Sequence, residues 1–159
     1  MGSMQSRNVT MRQAGEADLP GVLTLYAQPE IEDGVVLDLD AARALFQRFA
    51  TYPSYRLFVA DDDGAIVGSY ALLIMDNLGH LGAPSAIVED VVVDPARHGR
   101  GIGQTMMRHA MQEARARHCY KLALSSNATR ERAHAFYEAL GFRRHGYSFL
   151  IELGEGSTP

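Results

Sequence analysis

The sequence predicts an α/β (α+β) fold, one domain on a mixed, mostly antiparallel sheet flanked by about four helices. Three observations carry this. Asp61-Asp62-Asp63-Gly64 separates two apolar runs, and Asp-Gly supplies the positive φ that a tight hairpin turn demands. Apolar runs of strand length elsewhere alternate with stretches whose apolar residues recur at helical spacing. The run Val88–Val93 leads through Asp94-Pro95 into Gly99, Gly101 and Gly103, which open a helix and predict a local parallel pair of strands across it. A chain of 159 residues is long enough to bury a core, and 47% apolar with 21% charged residues is ordinary for a globular domain.

Val9–Arg12 alternates as a short first strand. Leu19, Val22, Leu23 and Tyr26 predict a helix over 16–27, with Pro20 in its first turn, where a missing N–H costs little. An acidic loop, 28–38, precedes a second helix over 39–51 with Ala42, Leu45, Phe46 and Phe49 on one face. The hairpin strands cover 56–60 and 65–75, and 86–93 is the strand before the glycines. A helix over 103–117 carries Ile102, Met106, Met107, Ala110, Met111 and Ala114 as one stripe, which reads as core packing. A buried strand over 121–125, a helix over 130–140 stopped by Gly141, and one or two strands over 142–153 complete the pattern. Met1-Gly2-Ser3 ahead of Met4 reads as an expression remnant, 4–153 as the domain and 154–159 as a polar tail.

Several function classes are disfavoured. A net charge of −4 argues against a dedicated nucleic-acid binder, and no apolar run approaches the roughly 20 residues of a membrane span. One cysteine, Cys119, permits no internal disulfide and suits a reducing cytoplasm. No Cys/His cluster has metal-ligand spacing, so no metal is expected. The charge is uneven: residues 1–93 hold 13 acids against 5 Lys/Arg, and residues 94–159 hold 10 Lys/Arg against 6 acids. A basic half favours a polyanionic ligand, and an acidic half favours a cationic one.

The glycines make the polyanion specific. Glycine lets the backbone take unusual φ/ψ and approach a ligand closely, while a helix N-terminus offers unpaired N–H groups to an anion. The spacing is neither that of a Walker loop, since no Lys follows, nor that of a dinucleotide fingerprint, since Met106 stands where the third glycine would. His98-Gly99-Arg100-Gly101-Ile102-Gly103 instead resembles the coenzyme A loop of the GNAT N-acetyltransferase superfamily, with His98 in place of the usual Gln or Arg. Asn127 with Ala133-His134-Ala135-Phe136-Tyr137-Glu138-Ala139-Leu140-Gly141-Phe142 resembles that family's second block. The two blocks span roughly 86–147 in the family's order. Shorter likenesses point to aminoalkylphosphonate N-acetyltransferases (127–149) and glucosamine-phosphate N-acetyltransferases (118–121).

The resemblance implies a GNAT-like domain that moves acetyl from acetyl-CoA, as co-substrate, to a primary amine of a small molecule in a ternary complex. Peptide or protein acetylation and a non-catalytic coenzyme A sensor are the alternatives. It implies a cofactor site of His98, Gly99, Arg100, Gly101, Ile102 and Gly103, with backbone groups of Val91 and Val93 on the pantetheine amides and Asn127 beside that arm. With the composition, this leaves no nucleic acid or membrane partner expected, a cytoplasmic setting, and room for a homodimer. An ammonium must lose a proton before it attacks, and a thiolate leaves more easily when protonated. Glu89 is the expected base and Tyr137 the expected acid. Strand alternation lets only one of Glu89 and Asp90 face a cleft, and a β-bulge would change that parity. Glu30, Glu32, Asp33 and Asp38 suggest a cationic acceptor such as a polyamine-like or aminoglycoside-like base, whereas Arg130 and Arg132 suggest a phosphate or phosphonate.

Overall fold

The computed structural model describes residues 9–29 and 34–154, which fall into two compact units, 1–124 and 125–159. Unit one is built on a five-stranded sheet in sequential order: β1 (Val9–Gln13), β2 (Tyr55–Asp62), β3 (Ala65–Met75), β4 (Ser85–Val93) and β5 (Lys121–Leu124). The first three pairings are antiparallel and β4–β5 is parallel, as the sequence predicts. Asp62 faces Ala65 across a two-residue turn in which Asp63 and Gly64 take φ of 52° and 92°. Asp61 Oδ1 accepts the Gly64 N–H at 2.7 Å and closes it.

Helices α1 (Leu19–Tyr26) and α2 (Leu39–Phe49) cover one face of the sheet, and α3 (Ile102–Ala116) covers the other. Residues 16–18, expected to begin α1, form a separate 3₁₀ turn. The Asp18 carboxylate accepts the Gly15 N–H at 2.7 Å and both Arg12 guanidinium nitrogens at 2.7 and 2.8 Å. Arg12 also reaches Asp61, so β1, the turn and β2 are tied through one cation. That pairing holds the Asp18 carboxyl below its usual range. Asp38 caps α2 by accepting the Ala41 N–H at 2.9 Å.

On the α1/α2 face the core joins Leu19, Val22, Ala42, Leu57, Val59 and Ala71. On the opposite face α3 buries the predicted stripe, Met106 and Met107 completely. It can lie this close because β3 has Gly68 beneath it: a Cβ there would fall 2.5 Å from Met106 Sδ and 3.3 Å from Ile102 Cγ2. Farther along, the buried Tyr70 hydroxyl meets His109 Nδ1 at 2.6 Å, and its ring stacks on Phe58. Burial pushes the His109 imidazole down and the Tyr70 phenol up, which favours the neutral form of both partners in this hydrogen bond.

Unit two contains α4 (Glu131–Ala139). The one or two strands expected over 142–153 are not formed, and this corrects the sequence reading. The alternation is present, but a strand persists only beside a partner, and Tyr147, Phe149, Leu150 and Leu153 stand 85–94% exposed. Among the described residues, no helix is long and apolar enough to cross a membrane.

Gly68→Ala should destabilise the protein by about 1–3 kcal/mol, the usual range for overpacking, because Met106 must shift. A urea-unfolding midpoint that does not move would mean α3 is not seated on Gly68.

Candidate active site

The site begins where β4 loses a neighbour. Pairing with β5 ends at Val88 opposite Leu124, so among the described strands residues 89–93 pair with β3 alone. In that stretch the register slips: Ala71 faces Glu89 and Ser69 faces Val92, leaving Asp90 and Val91 opposite Tyr70 alone. This is a β-bulge, and Asp90 takes φ of 53° to make it. Asp is one of the few residues that tolerates this left-handed conformation.

The bulge changes which side chains face where. Glu89 is the cross-strand partner of Ala71, so both project from the α1/α2 face of the sheet. Strict alternation would send Asp90 to the opposite face, yet Asp90 lines the cavity between α1, α2 and the sheet. The two carboxylates therefore lie on one side, the change of parity that a β-bulge in this strand was expected to bring. Tyr55, on the same wall, registers both. Its phenol is pushed up first by burial, then by the charges of Asp90 and Glu89.

The cavity encloses about 420 Å³. Its wall is apolar, with Tyr26, Phe46, Phe49 and Tyr55 set among aliphatic side chains, and among the described residues Asp90 is the one carboxylate lining it. Nothing in the local sequence marked this wall, because spacing identifies an apolar face without saying whether the space it encloses is filled. Of the acidic residues expected to form an acceptor wall, Glu30, Glu32 and Asp33 lie outside the described residues. Asp38 is spent on the α2 cap.

Beyond the bulge, β4 leads to the glycines. Asp94 N–H bonds Val67 O at 2.9 Å, so alternation turns the N–H and C=O of Val93 away from β3, toward the side that β5 has left. Gln28, which sequence reasoning did not single out, donates its side-chain N–H to that Val93 carbonyl at 3.0 Å. Arg97 pairs with Asp62 and Asp94, and Asp94 Oδ1 accepts the Ala96 N–H, which fixes the turn into the loop. Gly99 and Gly101 then take φ of 78° and 77°, and the space where a Cβ would stand is open at both.

Gly101 is the N-cap of α3, and no side chain caps it. The first intrahelical bond is Thr105 N–H to Gly101 O, so the N–H groups of Ile102, Gly103 and Gln104 have no partner within the helix. His98 and Arg100 are exposed beside them. Left-handed glycines, uncapped N–H groups and the positive end of a 15-residue helix make a donor set that fits a pyrophosphate. This is the part of coenzyme A that the loop would hold.

In unit two, α4 presents Tyr137 half-buried between the rings of Phe136 and Phe142, with centroids 5.2 and 5.8 Å away. Burial raises its phenol, while Arg130 works the other way. Asn127 forms an Asx-type turn, its side-chain oxygen accepting from the Thr129 N–H at 2.9 Å and the Thr129 hydroxyl at 2.7 Å. His134 Nε2 lies 2.8 Å from the Asn127 carbonyl, a bond no sequence motif signalled.

The model of the acetyltransferase (GNAT) family matches residues 21–142. The chain is 36% identical over 98 residues to glucosamine 6-phosphate N-acetyltransferase of Trypanosoma brucei brucei. That match covers 62% of this chain and 65% of the relative, so the chain spans just under two thirds of that protein's length. It is 32% identical over 117 residues to aminoalkylphosphonate N-acetyltransferase of Salmonella typhimurium, covering 74% of this chain and 75% of that one. A solved structure from Agrobacterium tumefaciens str. C58, described as an acetyltransferase, superposes with a TM-score of 0.85 at 38% identity over 91% of this chain and all of that one.

If both carboxylates face the cavity, Glu89→Gln and Asp90→Asn should each lower the Tyr55 phenol toward its ordinary value, and burial should keep it from returning fully. Titration of 13C-labelled tyrosine followed by NMR measures this. An unmoved Tyr55 in both variants would contradict the placement.

Proposed function

The chain belongs to the acetyltransferase (GNAT) family, and we propose that it moves the acetyl group of acetyl-CoA to a primary amine of a small molecule by direct attack in a ternary complex. The observation that carries this is the continuity of β4: one strand runs from Glu89 and Asp90, on the α1/α2 side of the sheet, to the uncapped, glycine-opened N-terminus of α3. Relatives named for glucosamine 6-phosphate, aminoalkylphosphonate and thialysine support a small amine as the acceptor class.

Acetyl-CoA supplies the activated acyl thioester. The N–H groups of Ile102, Gly103 and Gln104 hold its pyrophosphate, with His98, Gly99, Arg100 and Gly101 forming the rim. The backbone groups of Val91 and Val93 pair with the pantetheine amides as an added strand would. A carbonyl oxygen has two lone pairs, so Val93 can keep Gln28 while accepting a second donor. The free amide nitrogen of Asn127 serves the same arm.

Glu89 takes the proton from the acceptor ammonium, directly or through a water, and Asp90 holds the ammonium at the cavity wall. Tyr137 gives its proton to the departing sulfur. A phenol keeps its proton through neutral pH and so has one to give; burial, which raises it, works against the transfer, and Arg130 works for it.

A thiol-release assay over a panel of primary amines should show acetyl-CoA-dependent turnover. Absence of turnover with every amine, in folded protein that binds acetyl-CoA, would favour a sensor. Tyr137→Phe should preserve cofactor binding and lower kcat by about 10²–10⁴-fold, the usual span for a general acid. Wild-type kcat in that variant, with chemistry rate-limiting, would remove Tyr137 from the reaction. With Glu89 as base, kcat/KM rises with pH along a limb that Glu89→Gln flattens or moves upward. An unchanged profile would transfer the role to Asp90 or solvent.

A further inference from the structure

The chemistry of the cavity wall narrows the acceptor further. Besides the aliphatic side chains it presents four rings, those of Tyr26, Phe46, Phe49 and Tyr55. Phe49 stands edge-on to Phe46 and Tyr55, with centroids 6.0 and 4.8 Å apart. Asp90 is the single carboxylate in the lining, and no Lys, Arg or His lines the cavity among the described residues.

We infer that the acceptor is an arylalkylamine, one ammonium on an apolar, ring-bearing body, held with its nitrogen at Asp90 and its ring against Phe46, Phe49 and Tyr55; this rests on the N-acetyltransferase reading above. A phosphate or phosphonate in this cavity would shed its water and meet no cation among the described lining residues, and a buried anion needs a charged or multiply donating partner. A polyamine or aminoglycoside would carry further ammonium or hydroxyl groups onto a wall with almost no acceptors. A ring loses only apolar contact with water on entering and gains edge and face contacts with the aromatic residues. The nearby rings also favour an ammonium over a neutral polar group. A volume of 420 Å³ lies within the range of small-ligand sites, about 300–1,000 Å³.

The test uses two amines that share an ethylamine arm, phenethylamine and 2-aminoethylphosphonate. Binding to the full chain is measured by calorimetry with and without coenzyme A, and turnover is measured with acetyl-CoA. Phenethylamine should bind and react with the higher kcat/KM. Asp90→Asn, which keeps a residue tolerant of the left-handed bulge, should weaken its binding about 10-fold or more. Phe49→Ala should weaken phenethylamine while leaving the phosphonate unchanged.

Phenethylamine that binds with this dependence but is not acetylated overturns the inference, because an acceptor must react, whereas the acetyltransferase reading falls only if no amine of the panel is acetylated. A higher kcat/KM for the phosphonate overturns the inference and supports that reading. In that case loss of phosphonate turnover in Arg130→Ala or Arg132→Ala would assign the anion to those residues. Binding and turnover of neither amine overturns the inference, as does phenethylamine binding that ignores both Asp90→Asn and Phe49→Ala.

Discussion

The site depends on one strand having a partner for only part of its length. Backbone N–H and C=O groups inside a sheet are spent on their neighbours, so a strand paired on both sides has nothing to offer a ligand. β4 is paired on both sides up to Val88 and on one side after it, because β5 stops at Leu124. The freed edge is short, five residues, and it ends at the turn that opens α3. The bulge at Asp90–Val91 falls inside it, which is where a kink costs fewest ladder bonds. A continuous β5 would remove the free edge and press against the bulge.

A partly paired strand needs a rigid base. β3 provides it from the other side, anchored below by α3 on Gly68 and by the Tyr70–His109 hydrogen bond, and above by the α1/α2 core. Tyr70 is also the residue opposite the bulge, so the His109 bond fixes the position around which β4 bends. Arg97 links the turn after β4 to Asp62 at the end of β2, which keeps the glycine loop in register with the hairpin. Each tie is local, and together they hold a strand end that lacks one row of its own hydrogen bonds.

The legible parts of the sequence were those decided by the local backbone. Asp63-Gly64 and the alternate glycines after Arg97 declare their conformations because few other residues adopt positive φ. The Met106 and Met107 stripe was legible for the same kind of reason, a period matched to one helix face. What stayed hidden depends on residues distant in sequence. The bulge at Asp90 is a register slip against Ser69 and Ala71, some twenty residues away, and alternation alone misassigns the face of its side chain. The cavity is bounded by α1, α2, β2, β3 and β4, and no one of them reveals a space that the others fail to fill. Phe142–Leu153 carries a strand's alternation without a strand's partner, so there the pattern overstates the structure. Asn127 was legible as a turn former, whereas its bond to His134 was not.

In the proposed function the free edge of β4 and the uncapped start of α3 hold the cofactor. Amide hydrogen exchange of the whole chain, with and without acetyl-CoA, reads that binding directly. Exchange should slow at Val91, Val93 and residues 101–104 on cofactor addition, with little change along β1 and β2. Exchange that is unaltered at those amides while acetyl-CoA is bound, or protection confined to other parts of the sheet, would contradict it.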